Sequence, residues 1–280
     1  MKIGFYTQGI QTEGMDFGCL SQGFSGEASG KRIFAKDLAA ESFFGGYEEA
    51  LAFVGELKDR AKAAIVFTDG AGNENSFVRK LSSLISGPVV GGGAARAFGG
   101  IGDGFLVQRG ETAVCILTGE ELKCRAEKVN LHTNIVEECE LELSGKRIVK
   151  KINGTDAALY LRTKKEQLGF TPGDFERVTL STLEHVNAHL SEADGVIHSG
   201  RDLEEHMLLR SVVPGEYQSV FEKFYQETDD AIVFGCAGLK SILEHPFPST
   251  CAGAFLFGEI CALENGSDFG NLMLSRLVIS

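Results

Sequence analysis

The sequence predicts an α/β fold of the mixed α+β kind, built from two related sheet-plus-helix modules that pack together. Three observations predict it: an alternation of helices and strands over residues 45–95, hairpin-like segments in the middle of the chain, and a weak internal repeat of an Ala-Ile-Val-Phe strand. Two modules whose sheets face one another would give a layered α/β/β/α sandwich. At 280 residues, with 43% hydrophobic and 24% charged residues, the chain has an ordinary globular composition.

The N-terminal alternation consists of two amphipathic helices and two short strands. A short apolar strand is predicted over 63–67, between the helices. Gly87-Pro88 ends the second helix, and "PVVGG" begins the next strand. The predicted buried positions are Tyr47, Leu51, Val54 and Leu57 in the first helix and Phe77, Leu81, Leu84 and Ile85 in the second.

The middle of the chain combines hairpins with further helices. A two-residue loop at Gly110-Glu111 and a turn at Ser144-Gly145 predict two hairpins. A helix is predicted over 155–169, with Thr155 as its N-cap and Gly169 as its terminator. A later helix begins at Pro214 and places Tyr217, Val220, Phe221 and Phe224 on one side.

The internal repeat relates two helix-strand units. "AAIVFTDGAGN" at 63–73 leads to a glycine-rich strand, and "DAIVFGCAGLK" at 230–240 leads to "CAGAFLFGEI". If the two units are equivalent, the loops after Phe67 and Phe234 lie in matching places and the seam between the units is a natural pocket. Short strands of this composition are common, so a chance similarity stays open.

Charge and cysteine content restrict the partners. A formal net charge of −12 argues against nucleic acid and anionic membranes, which need clustered Lys and Arg. The seven cysteines form no CxxC pair, and their odd number prevents complete disulfide pairing, so a reducing cytoplasm fits best. The start "MKIGFYTQGI" lacks a signal-peptide core, and no stretch reaches the ~20 apolar residues of a membrane helix.

Five motifs, in order along residues 30–275, are similar to those of one known family: "PVVGGGAA", "GKRIVKKINGTDAALYL", "FGCAGLK", "AFLFGEICA" and "FGNLMLSRLVI". With these motifs the chain resembles the FIST family, which comprises sensory domains of bacterial signalling proteins and some F-box proteins. The resemblance divides the chain into an N-like module at 1–128 and a C-like module at 129–280. Two features depart from the family pattern: Leu239-Lys240 follows the cysteine where arginine is frequent, and Gly270-Asn271-Leu272 lacks the usual histidine and threonine.

The resemblance implies a sensory role with a small ligand, an amino acid or related metabolite, bound between the modules. One branch of the family senses nitric oxide with haem, which gives an alternative function. No kinase, HAMP, receiver or DNA-binding segment is recognisable in the sequence. We therefore expect a separate signalling protein as partner.

Cys236 is the first candidate site residue, because it follows a buried strand and small residues surround it. A thiol-dependent enzyme would need a base close to this sulfur, and Lys240 and His245 are the nearest in sequence. The other interpretation is a thiol that packs at a strand end, as most free cysteines do.

Glu259 stands in an otherwise apolar strand, where an ionised carboxylate needs a partner. A ligand ammonium group is one possible partner, and an internal Arg or Lys, or exposure at the solvent face of the strand, are the others. Asn271 can add an amide to the same site or simply form a turn.

The loops and strands of the first unit add four candidates. Asp69 follows the repeat strand and can reach a pocket or cap the next helix. Gly92 and Gly93 invite comparison with a phosphate loop but lack its spacing, so close strand packing accounts for them better. Arg96 can bind a ligand carboxylate in bidentate fashion or lie on the surface.

Metal and haem sites have weaker support. "EHVNAHL" places His185 and His189 four residues apart on one face if it is helical, with His198 and His206 downstream, but HExxH is missing. No metal is expected. Haem would need one of six histidines or a cysteine as axial ligand, and nothing in the sequence selects one, so no cofactor is predicted.

Overall fold

The structure is a computed structural model, and it describes residues 15–16, 28–29, 32–33, 38–68, 74–93, 111–226, 231–243, 252–256 and 258–280. The described residues form four α-helices, three sheets of five or more strands, and a short pairing of Met15–Asp16 with Arg32–Ile33. The fold is mixed α/β, as the sequence predicts.

The first sheet has six strands, and two helices cover its outer face. These are α1 (Tyr47–Leu57) and α2 (Glu74–Leu84), and their apolar faces are buried against the sheet as predicted. The strand before α2 extends over Ala61–Thr68, longer than the five residues predicted. The strand order is Gly266–Gly270, Glu259–Leu263, Val89–Gly93, Ala61–Thr68, Glu111–Thr118, Ala39–Gly46.

The second sheet has five strands. Its outer face is covered by α4 (Tyr217–Gln226) and by a short 3-10 helix over Ala237–Ser241. We expected the helix to begin at Pro214, but it begins three residues later because Gly215 has a φ of 84°, which is not helical. The strand order is Ala28–Ser29, Ala252–Leu256, Ala231–Cys236, Met273–Ile279, Cys124–Asn130.

The two sheets pack face to face through one apolar cluster, so the core is an α/β/β/α sandwich. At its centre the Phe67 and Phe234 rings meet edge to face, with their centroids 5.8 Å apart. The middle of the predicted seam is therefore filled by side chains, and a pocket can open only at its ends.

The internal repeat is present in the topology. Ala61–Thr68 pairs in parallel with Val89–Gly93 and antiparallel with Glu111–Thr118. Ala231–Cys236 pairs in the same way with Ala252–Leu256 and Met273–Ile279. Phe67 and Phe234 thus occupy corresponding places on the central strands of the two sheets.

The third sheet is inserted between the strand Cys124–Asn130 and α4. It packs against α3 (Ala157–Gln167), and together they bury a separate apolar cluster. Its eight strands are, in order, Asn187–Ala188, Val178–Ser181, His206–Ser211, Asn134–Leu143, Ile148–Ile152, Val196–Ser199 and Leu190–Ala193, with Thr155–Asp156 paired beside Ile148–Ile152.

The predicted local features of this insertion are partly confirmed. The hairpin turn at Ser144-Gly145 is present, and the helix ends before Gly169, whose φ is 79°. The N-cap prediction was wrong by one residue: Asp156, not Thr155, caps α3 by accepting a hydrogen bond from Leu159 N, 3.0 Å away.

The segment "EHVNAHL" is not helical, which corrects our prediction of a shared face for His185 and His189. The apolar residues Val186, Ala188 and Leu190 alternate with the polar residues Asn187 and His189, and this period of two is the pattern of extended chain. The chain therefore passes through short strands, with His185 at a φ of 64° before them.

The sheets exchange strands between the two ends of the chain. The C-terminal strands Glu259–Leu263 and Gly266–Gly270 join the first sheet, whereas Ala28–Ser29 joins the second. The division of the chain at residue 128 stays a prediction. The predicted loop at Gly110-Glu111 begins outside the described residues, and the strand after it starts at Glu111.

A substitution at Gly92 tests how closely the glycine-rich strand packs against its neighbours. A Cβ at this position would lie 2.2 Å from Gly258 O and 2.8 Å from Leu256 Cδ1, so Gly92→Ala should lower the free energy of unfolding by about 3 kcal/mol. Gly173→Ala is the matched control, because nothing lies within 4 Å of the added carbon. Urea unfolding measures both, and equal stability of the two variants would contradict the packing.

Candidate functional site

A cavity of about 460 Å³ opens where the three sheets meet. Each sheet contributes part of the wall. Its described lining is Glu74, Gly258 and Phe269 from the first sheet and its helix, Cys236, Ala237, Gly238 and Leu256 from the second, Arg147, His189 and Gly200 from the third, and Asn271 from the segment that crosses between sheets. A larger groove of about 680 Å³ beside α2 includes none of the predicted site residues.

One end of the cavity carries a charged pair. Arg147 Nη2 lies 3.0 Å from Glu74 Oε2, and Arg147 Nε donates to Asp202 Oδ1 at 2.9 Å. Glu74 is only 1% exposed, whereas Arg147 is half-buried. The Arg147 guanidinium thus contacts two acidic side chains, one of them buried.

Cys236 ends the central strand of the second sheet, and its thiol faces the cavity while being only 5% exposed. Burial, and secondly the carboxyl of Glu259, raise the pKa of the Cys236 thiol to about 12. Backbone hydrogen bonds from Leu272, Gly238 and Gly258 to the sulfur oppose this shift without reversing it. The thiol is therefore protonated at neutral pH, and the small residues around it let the backbone approach the sulfur closely.

Glu259 is fully buried directly after the cavity residue Gly258. Its Oε1 accepts a hydrogen bond from Met273 N at 3.0 Å, and its Oε2 has no hydrogen-bond partner among the residues that the structure describes. Burial raises the pKa of Glu259 well above its ordinary value, although Met273 N and the charge of Arg201 act in the opposite direction. Burial thus favours the protonated form of this carboxyl, which lies close to the Cys236 thiol.

Asn271 lies on the segment that leaves the first sheet and enters the second. Its Oδ1 accepts a hydrogen bond from His189 N at 3.1 Å, and its own N–H donates to Asn187 O at 2.9 Å. The next residue, Leu272, is fully buried with a φ of 56°, a conformation that an L-residue rarely adopts. Asn271 therefore joins the cavity wall to the third sheet.

His189 is the imidazole that the structure places on the cavity wall. Its Nε2 lies 3.7 Å from Glu176 Oε1, and this contact lowers the pKa of Glu176. The His189 Cδ2 lies 3.7 Å from the point that a Cβ on Gly238 would occupy. Among the described residues, His189 is thus the imidazole on the same wall as Cys236. The sequence suggested Lys240 and His245 as bases, but the side chain of Lys240 and all of His245 lie outside the described residues.

The structure brings together only some of the predicted site residues. Cys236 and Asn271 line the cavity, and Glu259 lies next to its lining. Gly92 and Gly93 lie behind the wall, where Gly93 N donates to Gly258 O at 3.2 Å, so close packing describes their role. Asp69 and Arg96 lie outside the described residues.

Sequence reasoning missed the charged pair of the cavity. Glu74 is the first residue of α2 and follows the loop after Phe67. The internal repeat indicated that this loop borders a pocket, but not that Glu74 lines it. Arg147 stands in the predicted hairpin, and no local pattern indicates that this hairpin docks onto the sandwich. His189 was noted only for its spacing from His185, on a helix that does not form.

No group of three or more His, Cys, Asp or Glu side chains in the described part of the chain is arranged to hold a metal ion. Within that same part, none of the helices has the length and apolarity needed to span a bilayer. Both findings concern the described residues alone.

The comparison with protein families identifies the N-terminal half. The family model of the FIST N domain matches residues 4–155, more than half of the 280 residues. The chain belongs to the FIST family. No curated protein matches it. FIST domains are sensory domains of signal transduction, and the similarity of residues 129–280 to the C-terminal FIST module stays a prediction.

The state of the Cys236 thiol in this FIST protein can be tested by alkylation. Because burial and Glu259 raise its pKa to about 12, iodoacetamide at pH 7.5 should label it at least about a hundredfold more slowly in the folded protein than in urea. Mass spectrometry of tryptic peptides measures the rate. Labelling at equal rates would contradict a buried neutral thiol and would favour the thiol enzyme.

Proposed function

We propose that this protein is a cytoplasmic sensor that binds an amino acid or related metabolite in the cavity between the three sheets and passes the signal to a separate signalling protein. The observation that carries the proposal is the Arg147–Glu74 pair at one end of a cavity whose remaining wall is largely uncharged. Pockets with a few convergent polar groups on an otherwise apolar wall are typical ligand sites.

The lining matches the chemistry of a free amino acid. A guanidinium such as that of Arg147 binds a carboxylate with two parallel hydrogen bonds, and the carboxylate of Glu74 suits an ammonium group. The amide of Asn271 can orient the polar head of the ligand. Leu256, Phe269 and the thiol of Cys236 form a wall suited to the rest of the molecule.

The neighbouring Glu259 offers a second partner for an amine. Its Oε2 is buried and has no hydrogen-bond partner among the described residues, and such an atom gains most from a new donor. An ammonium group that reached Oε2 would stabilise the ionised carboxylate, which burial disfavours.

The competing functions have less support in the geometry. A thiol enzyme needs an activated sulfur, whereas the Cys236 thiol is neutral and Glu259 raises its pKa. A haem sensor needs an axial ligand in an apolar pocket, and the described wall of this cavity carries the Arg147–Glu74 ion pair. An absorption spectrum of the purified protein decides the haem alternative, because bound haem gives a Soret band.

Binding is tested by thermal unfolding with each proteinogenic L-amino acid at millimolar concentration. A ligand at about a hundred times its Kd should stabilise the protein by about 2.7 kcal/mol. In calorimetry, Arg147→Gln should lower the affinity for the stabilising amino acid at least about tenfold, because the substitution removes the charge-assisted hydrogen bonds to its carboxylate. Arg162→Gln, which removes an exposed pair with Glu192, should leave the affinity unchanged. If no amino acid stabilises the protein, or both variants bind equally well, the proposal is wrong.

Glu259→Gln separates the role of the buried carboxyl from that of Glu74. Glutamine keeps the oxygen that accepts from Met273 N but cannot ionise. We expect affinity for an amine-bearing ligand to fall by several fold or more, roughly the value of a charged hydrogen bond, with the melting temperature of the empty protein preserved. Unchanged affinity in calorimetry would remove Glu259 from the site.

A further inference from the structure

The inserted unit, residues 134–211, has an apolar core of its own. The buried cluster around α3 contains only residues between positions 139 and 209, and the partly buried side chains packed on it lie between 136 and 175. The sandwich buries its clusters independently. A unit with a complete core of its own can move as a body if its contacts with the rest are polar.

The seam between the inserted unit and the sandwich is mainly polar. Arg201 Nη2 lies 2.6 Å from Asp268 Oδ2, and both side chains are 1% exposed. Burial alone would raise the pKa of Asp268, but Arg201 and Arg79 outweigh it and hold the pKa below its ordinary value. Asp202 N donates to Asn75 Oδ1 at 3.3 Å, and Asn130 Nδ2 donates to Asn187 Oδ1 at 2.8 Å.

Apolar contacts across this seam are few among the described residues. Val186 packs against Cys261 and Met273, and Phe170 packs against the cluster beneath α4 as well as against its own core. Breaking the seam therefore exposes little apolar surface, and the cost lies in separating hydrogen bonds and ion pairs.

Two short connections join the inserted unit to the sandwich. They run through 131–133 and through 212–216, and Leu131 and Val212 are both buried in the apolar cluster beneath α4. Gly215, with a φ of 84°, lies in the second connection. The connections are thus anchored together on one side, next to α4, which is the arrangement of a hinge.

The cavity lies in this seam. Arg147, His189 and Gly200 belong to the inserted unit, and the other described lining residues belong to the sandwich. The Arg147–Glu74 pair and the His189–Asn271 hydrogen bond both cross from one body to the other at the cavity wall. A ligand that contacts both walls binds the closed arrangement better than the open one.

We propose that the inserted unit is a rigid body that hinges next to α4 and closes over the cavity, with Arg147 and Glu74 as its latch. The inference rests on the proposed function for its biological meaning, because the position of the inserted unit would then signal that a ligand is bound. The closure itself is a property of the protein alone and can be tested without a ligand.

Hydrogen exchange followed by residue-resolved mass spectrometry tests the closure in the full chain. In Arg147→Gln the seam amides of His189, Asp202 and Asn271 should exchange at least about tenfold faster than in the wild type. Strand amides inside the two bodies, at Leu209 and Ile232, should change by less than about twofold. The matched control Arg162→Gln should match the wild type throughout.

Two outcomes would overturn the inference. If exchange accelerates equally at the seam and in both cores, the inserted unit and the sandwich unfold as one body. If the seam amides of Arg147→Gln exchange as in the wild type, Arg147 is not a latch. Should Arg147→Gln fail to fold, Asn271→Ala removes the Asn271 Oδ1 contact at the seam and is read in the same way.

The same exchange experiment in the presence of amino acids distinguishes this inference from the proposed function. The wild type is measured with each proteinogenic L-amino acid separately, at the concentration used in thermal unfolding. Slower exchange of the seam amides, with the cores unchanged, is the expected result. If an amino acid raises the melting temperature but leaves the seam amides unaffected, the coupling is wrong while binding stands. If none raises it, the proposed function fails, and the comparison of variants still decides the closure.

Discussion

The contact between the two central strands organises this protein. Phe67 and Phe234, at corresponding places in the two sheets, meet edge to face inside a cluster of fully buried aliphatic residues. Because each sheet also buries its outer face under helices, its central strands are apolar on both sides and have no polar face to turn toward water. The sandwich follows from this constraint. The filled centre also forces any cavity to the end of the strands, where glycines and a thiol replace the large side chains.

The inserted unit is held by a different kind of interaction. Its seam with the sandwich contains the fully buried ion pair of Arg201 and Asp268 and the pair of half-buried Arg147 with buried Glu74. Buried pairs add little net stability over apolar residues, but loss of one partner is costly, commonly about 3–5 kcal/mol. Such a seam therefore specifies one docked position precisely without making docking strongly favourable. That combination suits a joint whose equilibrium a small ligand can shift.

The fold was largely predictable from the sequence because its signals are local. Helical spacing from Tyr47 to Leu57, the Gly87-Pro88 stop and the turn at Ser144-Gly145 each depend on neighbouring residues only. The N-cap of α3 was misplaced by one residue, since Thr and Asp are both good capping residues and stand side by side here. "EHVNAHL" was misread because its two histidines are four apart, while the apolar Val186, Ala188 and Leu190 alternate with polar residues as in a strand.

The site was less predictable, because its charged residues come from segments that are distant in sequence. Cys236 and Asn271 could be singled out, since glycines or a strand end mark them locally. Arg147 and Glu74 are 73 positions apart and meet only when the inserted unit docks onto the sandwich. Sequence periodicity predicts single helices and strands, and it does not predict how the inserted unit docks onto the sandwich.

The Cys236 thiol and the neighbouring Glu259 carboxyl bear on whether the site senses or catalyses. An enzyme separates the pKa values of neighbouring acid and base groups so that one is charged. Here burial raises the pKa of both Cys236 and Glu259, and the Glu259 carboxyl adds to the shift at Cys236. Both shifts favour the uncharged form of the group. A ligand cation would remove this restraint at Glu259 alone, so binding changes a buried charge next to Met273, where the chain enters the second sheet. That is a means of reporting occupancy to the fold, and it requires no chemical step.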